Sequence, residues 1–523
     1  MTYLLNSKLF VIFFAPFLLG AITTLSFSPF NLTFLNFFTF SSLLFIILLV
    51  KKRTETKYRK KKSNRYFFYL GCAFGFGFFL FGNYWIAISL THDEMFKDLI
   101  PISLIIIPLF LSVFFGLAIL VAGVFAERSI FFIFFFSIIF SIFEFLRGNI
   151  FTGFPWNLLS YSWSWSLETT QILSLIGAYS LSLISITFFC IPFLFLKKKI
   201  DKKNIFFLLI FSLLFIANYA YGILKINSSN YSFDRDLNVK IVSPNFSLKD
   251  YNNRTETFQL KRLIQISDPQ KDKKTLFIWP EGIFYESYLS DIKKHKNLFK
   301  DSFSNNHLIA LGINNFNNTR NESQKYFNSL VVLNNKLEIL YIYNKVNLVP
   351  FGEFLPFQNV LTKLGLKKIT RGYNSFSSGD SRKIINLGNM FKEKLILPLI
   401  CYEIIYSGKI KKKSQLPDLV INISEDAWFG ESIGPYQHFT KAIYRSIEEG
   451  VFIARSANAG ISAFIDPNGR VVKSLNTGES GNIELNFPNL SASTLFSNLG
   501  NKIFFLIILL YIFLTLIFKR LKI

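Results

Sequence analysis

Apolar residues occur in two different patterns along this chain. Long, mostly apolar runs, each close to the roughly 20 residues that cross a bilayer as a helix, alternate with short polar or charged loops. These runs lie near residues 9–27, 33–50, 66–90, 99–125, 130–146, 172–196, 205–224 and 503–518. The pattern predicts about eight membrane-spanning helices, with all but the last before residue 225.

Between residues 225 and 500 the apolar runs become short and are interrupted by polar residues. Runs typical of strands occur at 237–246, 275–282, 307–316, 329–335, 337–345, 395–403 and 417–424. Helix-length stretches at 283–300 and 436–450 separate some of them. Apolar strands interspersed with helices are typical of an α/β domain with a largely buried sheet. We therefore expect a transmembrane domain at 1–224, an α/β domain at 225–500, and a C-terminal transmembrane helix and tail at 501–523.

The composition supports a membrane protein with a folded domain outside the bilayer. Hydrophobic residues make up 51% of the 523 residues, including 65 Phe, which is too apolar for an ordinary soluble protein. The net charge of +24 comes largely from short loops between apolar runs, and no nucleic-acid-binding motif accompanies it. The three Cys suggest no disulfide framework, and the four His show no metal-ligand spacing. We therefore expect no metal, no cofactor and no nucleic-acid partner.

The distribution of Lys and Arg predicts the orientation in the membrane. The nine cations of loop 51–65, the five lysines of loop 197–204 and the basic tail after residue 518 all fall on one side if the spans alternate. The loops at 91–98 and 147–171, on the other side, contain few cations. Because cytoplasmic loops are enriched in Lys and Arg, residues 225–500 are expected outside the cytoplasm. In a bacterium this predicts a multi-pass inner-membrane protein with its α/β domain in the periplasm.

Three side chains with functional groups suited to catalysis each follow one of the predicted strands. Glu281 follows TLFIWP, Lys345 follows LEILYIYN, and Cys401 follows LILPLI. A thiol is a strong nucleophile, a nearby carboxylate can take its proton, and an ammonium group can stabilise a thiolate or an oxyanion. Each residue also has an ordinary structural interpretation: a helix N-terminal acid, a surface cation and a small core side chain. Together they indicate nucleophilic catalysis at the ends of strands.

The motifs around these residues resemble a known family. Glu281 after a Trp-Pro pair, Lys345 in YNKVNLVPFGEFLPF and Cys401 in ICYE resemble the Glu-Lys-Cys triad of the nitrilase superfamily of carbon–nitrogen hydrolases. Within that superfamily the chain resembles its membrane branch, the apolipoprotein N-acyltransferases. The resemblance also includes NISEDAWFG, GPYQH, RSANAG and, in the membrane half, FEFLRGNIFTGFPW.

The resemblance implies a fold and a role for each matching residue. The fold implied for 225–500 is a four-layer α-β-β-α sandwich. Cys401 would be the nucleophile, Glu281 the proton acceptor and Lys345 the cation that stabilises the oxyanion. The supporting residues implied are Glu353, Tyr402 and Glu403. The chain departs from the family pattern at Glu425, where Asn is more frequent, and at Phe143, where Trp is frequent.

The implied reaction is acyl transfer in two steps. A phospholipid acyl donor would acylate Cys401, and the α-amine of a diacylglyceryl-modified apolipoprotein cysteine would then take the acyl chain as an amide. The main alternative is a membrane-tethered nitrilase-type amidase or hydrolase, in which water replaces the amine. A non-catalytic receptor or assembly protein is a further alternative, against which the complete triad argues.

Overall fold

The chain divides into two compact units. The computed structural model describes residues 7–54, 60–92, 94–196, 201–248, 255–317, 324–356, 363, 375–410, 416–490 and 492–521. The first unit comprises Met1–Ala87, Lys97–Ser228 and Leu499–Ile523, and the second comprises Ile88–Phe96 and Ser229–Asn498. The inclusion of Ile88–Phe96 in the second unit was not expected from the sequence, where these residues comprise the end of the span predicted at 66–90 and part of the loop 91–98.

The first unit is built from apolar helices. In the described part of the chain, seven helices are long and apolar enough to cross a membrane: Leu35–Thr54, Ser63–Asn83, Glu94–Gly123, Ile130–Asn149, Leu173–Phe195, Lys202–Ser228 and Lys502–Arg520. The apolar helix Phe10–Ser26 is shorter, and single turns of helix lie at Trp85–Ile88 and Leu167–Thr170. Lys202–Ser228 and Lys502–Arg520 expose large apolar side chains along their length, as expected for helices surrounded by lipid. Seven of the eight predicted spans thus correspond to helices of sufficient length.

Two charged residues are buried among these helices. The Glu144 carboxylate accepts hydrogen bonds from the Ser182 hydroxyl (2.5 Å) and the Leu159 backbone amide (3.2 Å). Arg147, one turn further along the same helix, donates to the Phe154 carbonyl (2.5 Å), and its guanidinium lies 5.1 Å from the centre of the Phe79 ring. Charged groups are costly in lipid, so both face the protein interior, where they attach residues 154–159 to the helix Ile130–Asn149.

The second unit contains two β-sheets. Its strands in the described residues are β1 (Phe233–Ser243), β2 (Lys274–Ile278), β3 (Phe284–Tyr288), β4 (His307–Asn317), β5 (Lys325–Asn334), β6 (Ile339–Asn344), β7 (Ile385–Asn386), β8 (Leu395–Ile400), β9 (Leu419–Glu425), β10 (Phe452–Asn458), β11 (Ser462–Ile465), β12 (Val471–Leu475) and β13 (Gly481–Pro488). The first sheet has the order β13-β1-β2-β4-β5-β6, with β3 paired to β4. The second has the order β12-β11-β10-β9-β8-β7.

The two sheets pack face to face between helices. One apolar core lies between the sheets and includes Ile241, Leu308 and Ile400. A second core lies on the other face of the first sheet, against the helices α1 (Glu256–Ser267) and α2 (Lys296–Ser302). Helix α3 (Gly434–Glu449) covers the second sheet, and the short helix Leu495–Leu499 ends the unit. The unit therefore has an α-β-β-α arrangement of layers.

Strand direction determines where the candidate residues meet. β1, β2 and β4 are parallel, and the two antiparallel pairings β4–β5 and β5–β6 make β6 run in the same direction as β4. In the second sheet β8, β9 and β10 are parallel. The carboxyl ends of parallel strands lie at one edge of a sheet, where polar side chains can gather without disturbing the core. Glu281 and Lys345 follow the ends of β2 and β6, and Cys401 follows the end of β8.

Candidate active site

Cys401 occupies a sharp turn directly after β8. Its φ of 49° lies in the left-handed region, which a residue with a side chain adopts only where the surrounding structure holds it there. The chain continues from this residue as a 3-10 turn, Cys401–Ile405. Cys401 is half-buried, and its side chain packs at the margin of the core between the sheets. The turn thus places Cys401 at the strand end, at the margin of the core.

Glu281 is held close to β4 by its backbone. Trp279, two residues earlier, donates its amide to the Ala310 carbonyl of β4 (2.9 Å) and its indole N–H to Ser267 (3.0 Å). A Cβ atom at Gly312 would lie only 2.9 Å from the Cα of Glu281, so β4 needs glycine at this position. The backbone amide of Glu425 donates to Glu281 Oε2 (3.1 Å). The carboxylate of Glu281 is therefore fixed from both sheets.

Lys345 lies between two carboxylates. Its Nζ is 3.0 Å from Glu353 Oε1 and 3.5 Å from Glu281 Oε1. The second oxygen of Glu353 accepts the Val349 amide (2.8 Å), which orients this carboxylate from its own loop. All three side chains are buried. The structure thus brings together Glu281, Lys345 and Glu353, in an arrangement that can hold one proton-accepting carboxylate and one cation beside the thiol.

Asn328 was not predicted and is part of the same cluster. Its Nδ2 donates to both Glu281 Oε1 (2.6 Å) and Glu353 Oε1 (2.7 Å), the oxygens that also face Lys345. The backbone carbonyl of Asn328 accepts a hydrogen bond from the backbone amide of Lys345 (2.9 Å). An Asn within a strand has no distinctive sequence signal, and its contact with Lys345 depends on the register of β5 and β6. The amide supplies hydrogen-bond donors that offset repulsion between the two carboxylates.

The protonation states follow from burial and from these neighbours. Burial alone would lower the pKa of Lys345, but Glu281 and Glu353 outweigh it and raise the pKa well above its ordinary value. Burial raises the pKa of Glu281, Lys345 offsets part of the rise, and Glu353 adds to it. Burial also raises the pKa of the Cys401 thiol, with a further rise from Glu281 and a partial offset by Lys345. The surroundings thus favour the charged form of Lys345 and the protonated form of the Cys401 thiol, and they increase the basicity of Glu281.

Glu403 connects the loop of the lysine to the turn of the cysteine. It is fully buried, and its carboxylate accepts the amides of Val346 (2.9 Å) and Asn347 (3.1 Å) on one side and of Ile400 (2.9 Å) on the other. The Tyr343 hydroxyl also donates to it (2.8 Å). Because its donors come from the segments that carry Lys345 and Cys401, Glu403 fixes the spacing between them. Glu403 acts through these segments. Among the described residues, no hydrogen bond joins its side chain to the side chains of Cys401, Lys345 or Glu281.

The other residues singled out from the sequence have different surroundings. Tyr402 is buried, and its ring packs edge to face against Tyr406 at 5.5 Å between centroids. Glu425 accepts hydrogen bonds from Asn458 Nδ2 (2.8 Å) and the Ala427 amide (3.1 Å). The Glu425 carboxylate is thus held by a side-chain amide from the neighbouring strand β10. Among the described residues no group of three or more His, Cys, Asp and Glu has the arrangement of a metal site.

Comparisons with known proteins match both halves of the chain. The family model described as the apolipoprotein N-acyltransferase N-terminal domain matches residues 19–191, and the carbon-nitrogen hydrolase model matches residues 271–490. The apolipoprotein N-acyltransferase of Rickettsia prowazekii (strain Madrid E) is 33% identical over 512 residues, which cover 96% of this chain and 98% of that protein. The protein of the same name from Rhodopseudomonas palustris is 29% identical over 516 residues, covering 96% and 94%.

A solved structure is similar to part of the chain. The crystal structure of a CN-hydrolase superfamily protein from Xanthomonas campestris matches 49% of this chain and 91% of its own, with 16% identity and a TM-score of 0.33. The two relatives compared by sequence each cover 96% of this chain. Since that similarity reaches 33% identity and covers nearly all of both proteins, this chain belongs to the apolipoprotein N-acyltransferase family.

Proposed function

We propose that this protein transfers a fatty acyl chain from a phospholipid to the N-terminal α-amine of an S-diacylglyceryl-cysteine apolipoprotein, the last step of lipoprotein maturation. The observation that carries the proposal is the full-length similarity to proteins named apolipoprotein N-acyltransferase. A tethered amidase or hydrolase accounts only for the carbon-nitrogen hydrolase match at 271–490. The separate match at 19–191 to the N-terminal domain of the acyltransferases favours the transferase.

In the first step, Cys401 takes the acyl chain from the lipid ester. Glu281 removes the thiol proton, and the thiolate sulfur attacks the ester carbonyl carbon. The ammonium group of Lys345 stabilises the oxyanion of the tetrahedral intermediate, which collapses to a thioester. The leaving alkoxide of the lysophospholipid takes the proton back from Glu281. The raised basicity of Glu281 and the stable charge on Lys345 suit these two tasks.

In the second step, the acceptor amine replaces the sulfur. The neutral α-amine attacks the thioester carbonyl, Glu281 takes one of its protons, and the carbon–sulfur bond breaks. The departing Cys401 thiolate then receives this proton, which restores the resting site. A thioester is well suited as the intermediate, because it accepts amines more readily than the starting ester does. Neither step requires a metal or a cofactor.

Helices in the membrane give this chemistry access to its substrates. Both the donor and the diacylglyceryl acceptor carry fatty chains, and transfer of such a chain into water costs about 0.8 kcal/mol per methylene. We propose that the α/β domain, residues 225–500, is the catalytic domain and faces the periplasm at the inner membrane. The helices of 1–224 and the last helix of 501–523 would then hold it at the lipid surface.

Incubation of the purified full-length protein with phospholipid alone is expected to add one acyl group to Cys401. The reason is that the first step needs no acceptor, so the thioester accumulates. Intact-mass measurement followed by peptide mapping would detect the mass of the acyl chain supplied and its position. A matched control is a dialkyl ether analogue of the same phospholipid, which lacks the ester carbonyl and should add nothing. Transfer to an acceptor peptide without any adduct on Cys401 would contradict the proposal.

The orientation can be tested with fusions at two positions. A reporter enzyme that is active only in the periplasm should be active when fused after residue 490 and silent when fused after Ile523. This expectation follows from the basic loops 51–65 and 197–204, which the positive-inside rule assigns to the cytoplasm. Both fusions should be present in equal amounts in the membrane fraction, as shown by immunoblotting. The reverse activities would overturn the proposed orientation.

A further inference from the structure

The segment 376–382 has no part in the mechanism above, but it lies directly against the loop that carries Lys345. The amide of Gly379 donates to the Lys345 carbonyl (2.8 Å), and the Ser378 hydroxyl donates to the next carbonyl of the same loop (2.6 Å). A Cβ atom at Gly379 would lie only 2.3 Å from the carbonyl oxygen of Asn344, so this close approach requires glycine. The backbone on both sides of Lys345 is therefore packed against the segment.

Arg382, the last residue of this segment, joins three parts of the domain through one guanidinium group. Its Nη2 donates to Oδ1 of Asn347, in the loop of the lysine (2.5 Å). The same nitrogen lies 3.5 Å from Oε1 of Glu403, in the turn of the cysteine. Its Nη1 donates to the carbonyl of Lys409, which follows that turn. The side chain of Arg382 is only 9% exposed, so these contacts are largely shielded from water.

The guanidinium group is the ion-pair partner of a fully buried carboxylate. The described hydrogen-bond donors to Glu403 are three backbone amides and the Tyr343 hydroxyl, all of them uncharged. Among the described residues, the one ion pair of Glu403 is with Arg382. Removal of one partner from a buried ion pair is costly, because the other charge is left uncompensated. Arg382 therefore balances the charge of the carboxylate that joins the loop of the lysine to the turn of the cysteine.

The distance between Lys345 and Cys401 matters for the chemistry. The ammonium group can stabilise the oxyanion only if the sulfur adds to the carbonyl carbon within its reach, and a misplacement of about 1 Å can lower a rate by about 10²-fold. Lys345 is held by its ion pairs with Glu281 and Glu353. Cys401 has a left-handed φ of 49°, a conformation that persists only where neighbouring contacts maintain it. The turn of the cysteine is therefore the part that would shift if its link to the lysine loop were lost.

We propose that Arg382 is a positioning residue for acyl transfer, which holds the turn of the cysteine against the loop of the lysine by pairing with Glu403 and binding Asn347. The inference rests on the proposed roles of Cys401 and Lys345 in that reaction. Among the described residues, no hydrogen bond or ion pair joins Arg382 to either of these two side chains. Arg382 therefore acts on the reaction through the geometry of the two segments. An isolated Arg in a polar segment has no distinctive sequence signal, and this residue was not predicted.

The inference predicts a loss of kcat without a change in KM. Arg382→Met keeps an unbranched side chain of similar length and removes the charge and all the donors. In acyl transfer from phospholipid to a diacylglyceryl peptide, measured in detergent, kcat should fall by about 10- to 100-fold. The KM for the phospholipid should be unchanged, because the substitution alters the geometry of the reacting groups. Rates are expressed per folded protein, which size-exclusion chromatography in the same detergent measures.

Three further variants separate this role from packing. Arg382→Lys restores a cation beside Glu403 and should recover most of the lost kcat, whereas a packing role predicts equal losses for Met and Lys. Arg470→Met removes a guanidinium group that pairs with another buried carboxylate of the same domain (2.6 Å) and should transfer at the wild-type rate. Asn347→Ala removes only the side-chain link to the lysine loop and should lower kcat by a smaller factor. Equal losses for Met and Lys at position 382 would overturn the inference. So would a wild-type kcat for Arg382→Met or, if that protein does not accumulate, for Asn347→Ala.

Labelling of Cys401 with iodoacetamide tests the same link without lipid. If phospholipid left the wild-type thiol unmodified, but Arg382→Met and not Arg470→Met altered the rate of labelling, the proposed acyl transfer would fail and the link from Arg382 to the turn would stand. If phospholipid acylated the wild-type and Arg382→Met proteins at equal rates and their labelling rates coincided, acyl transfer would stand and the role of Arg382 would be refuted.

Discussion

The Cys401→Ala protein is expected to form no thioester and to transfer no acyl chain. Removal of the nucleophile eliminates both steps, so the rate should fall by a factor on the order of 10⁴ or more. The fold should persist, because Cys401 is half-buried and lies at the margin of the core between the sheets. Acyl transfer from a radiolabelled phospholipid to a diacylglyceryl peptide, measured in detergent, would quantify the loss.

Two comparisons establish that the loss concerns this thiol. Cys72→Ala, in a helix of the first unit, is the matched control and should transfer at the wild-type rate. Cys401→Ser keeps an oxygen nucleophile, but the much higher pKa of a hydroxyl makes Glu281 a poor base for it, so its activity should be lost or nearly lost. If Cys401→Ala retained transfer, Cys401 would be a core-filling side chain and the proposed mechanism would be wrong.

The membrane half could be predicted from hydropathy because its physical signal is local. A helix in lipid must satisfy its own backbone hydrogen bonds and needs about 20 apolar residues, and both requirements are visible in a continuous segment. Seven such predictions correspond to helices of sufficient length. Phe10–Ser26 covers nearly all of the run predicted at 9–27 but is shorter than these seven helices.

The candidate site could be predicted only in part, for a reason that Asn328 and Glu403 illustrate. Glu281, Lys345 and Cys401 were found because each follows an apolar strand and has a suitable functional group. Asn328 lies inside β5, and its two carboxylate partners are 47 and 25 residues away along the chain. The amide partners of Glu403 at Val346 and Asn347 are similarly remote, at 57 and 56 residues. Contacts of this kind arise from strand register and from the packing of the two sheets against each other, which an isolated sequence does not reveal.

The cluster at Lys345 combines one cation with two carboxylates, and this arrangement decides which carboxylate can act as the base. Glu353 is oriented by the Val349 amide and lies 3.0 Å from Lys345, so its charge is the more tightly paired. Glu281 lies 3.5 Å from the same Nζ. The negative charge of Glu353 also raises the pKa of Glu281. We therefore expect Glu353 to tune the base and Glu281 to accept the proton.

Glu281→Gln is accordingly expected to slow formation of the thioester by about 10²–10⁴-fold, the usual contribution of a general base. Glutamine keeps the shape of the side chain, and its single oxygen can still accept one of the two donors of Glu281, the Glu425 amide or the Asn328 side chain, so the protein should fold. The pH dependence of single-turnover acylation is the more specific measurement. In the wild type the rate should rise with pH as Glu281 loses its proton, and the Glu281→Gln protein should lack this limb.

Glu353→Gln is the matched comparison, since it removes a carboxylate from the same cluster. It should also slow acylation, because Lys345 loses one of its two carboxylate partners, but it should retain the acidic limb. Removal of the Glu353 charge lowers the pKa of Glu281, so the limb should move to lower pH. An acidic limb that persisted in Glu281→Gln and vanished in Glu353→Gln would reverse the assignment and make Glu353 the proton acceptor.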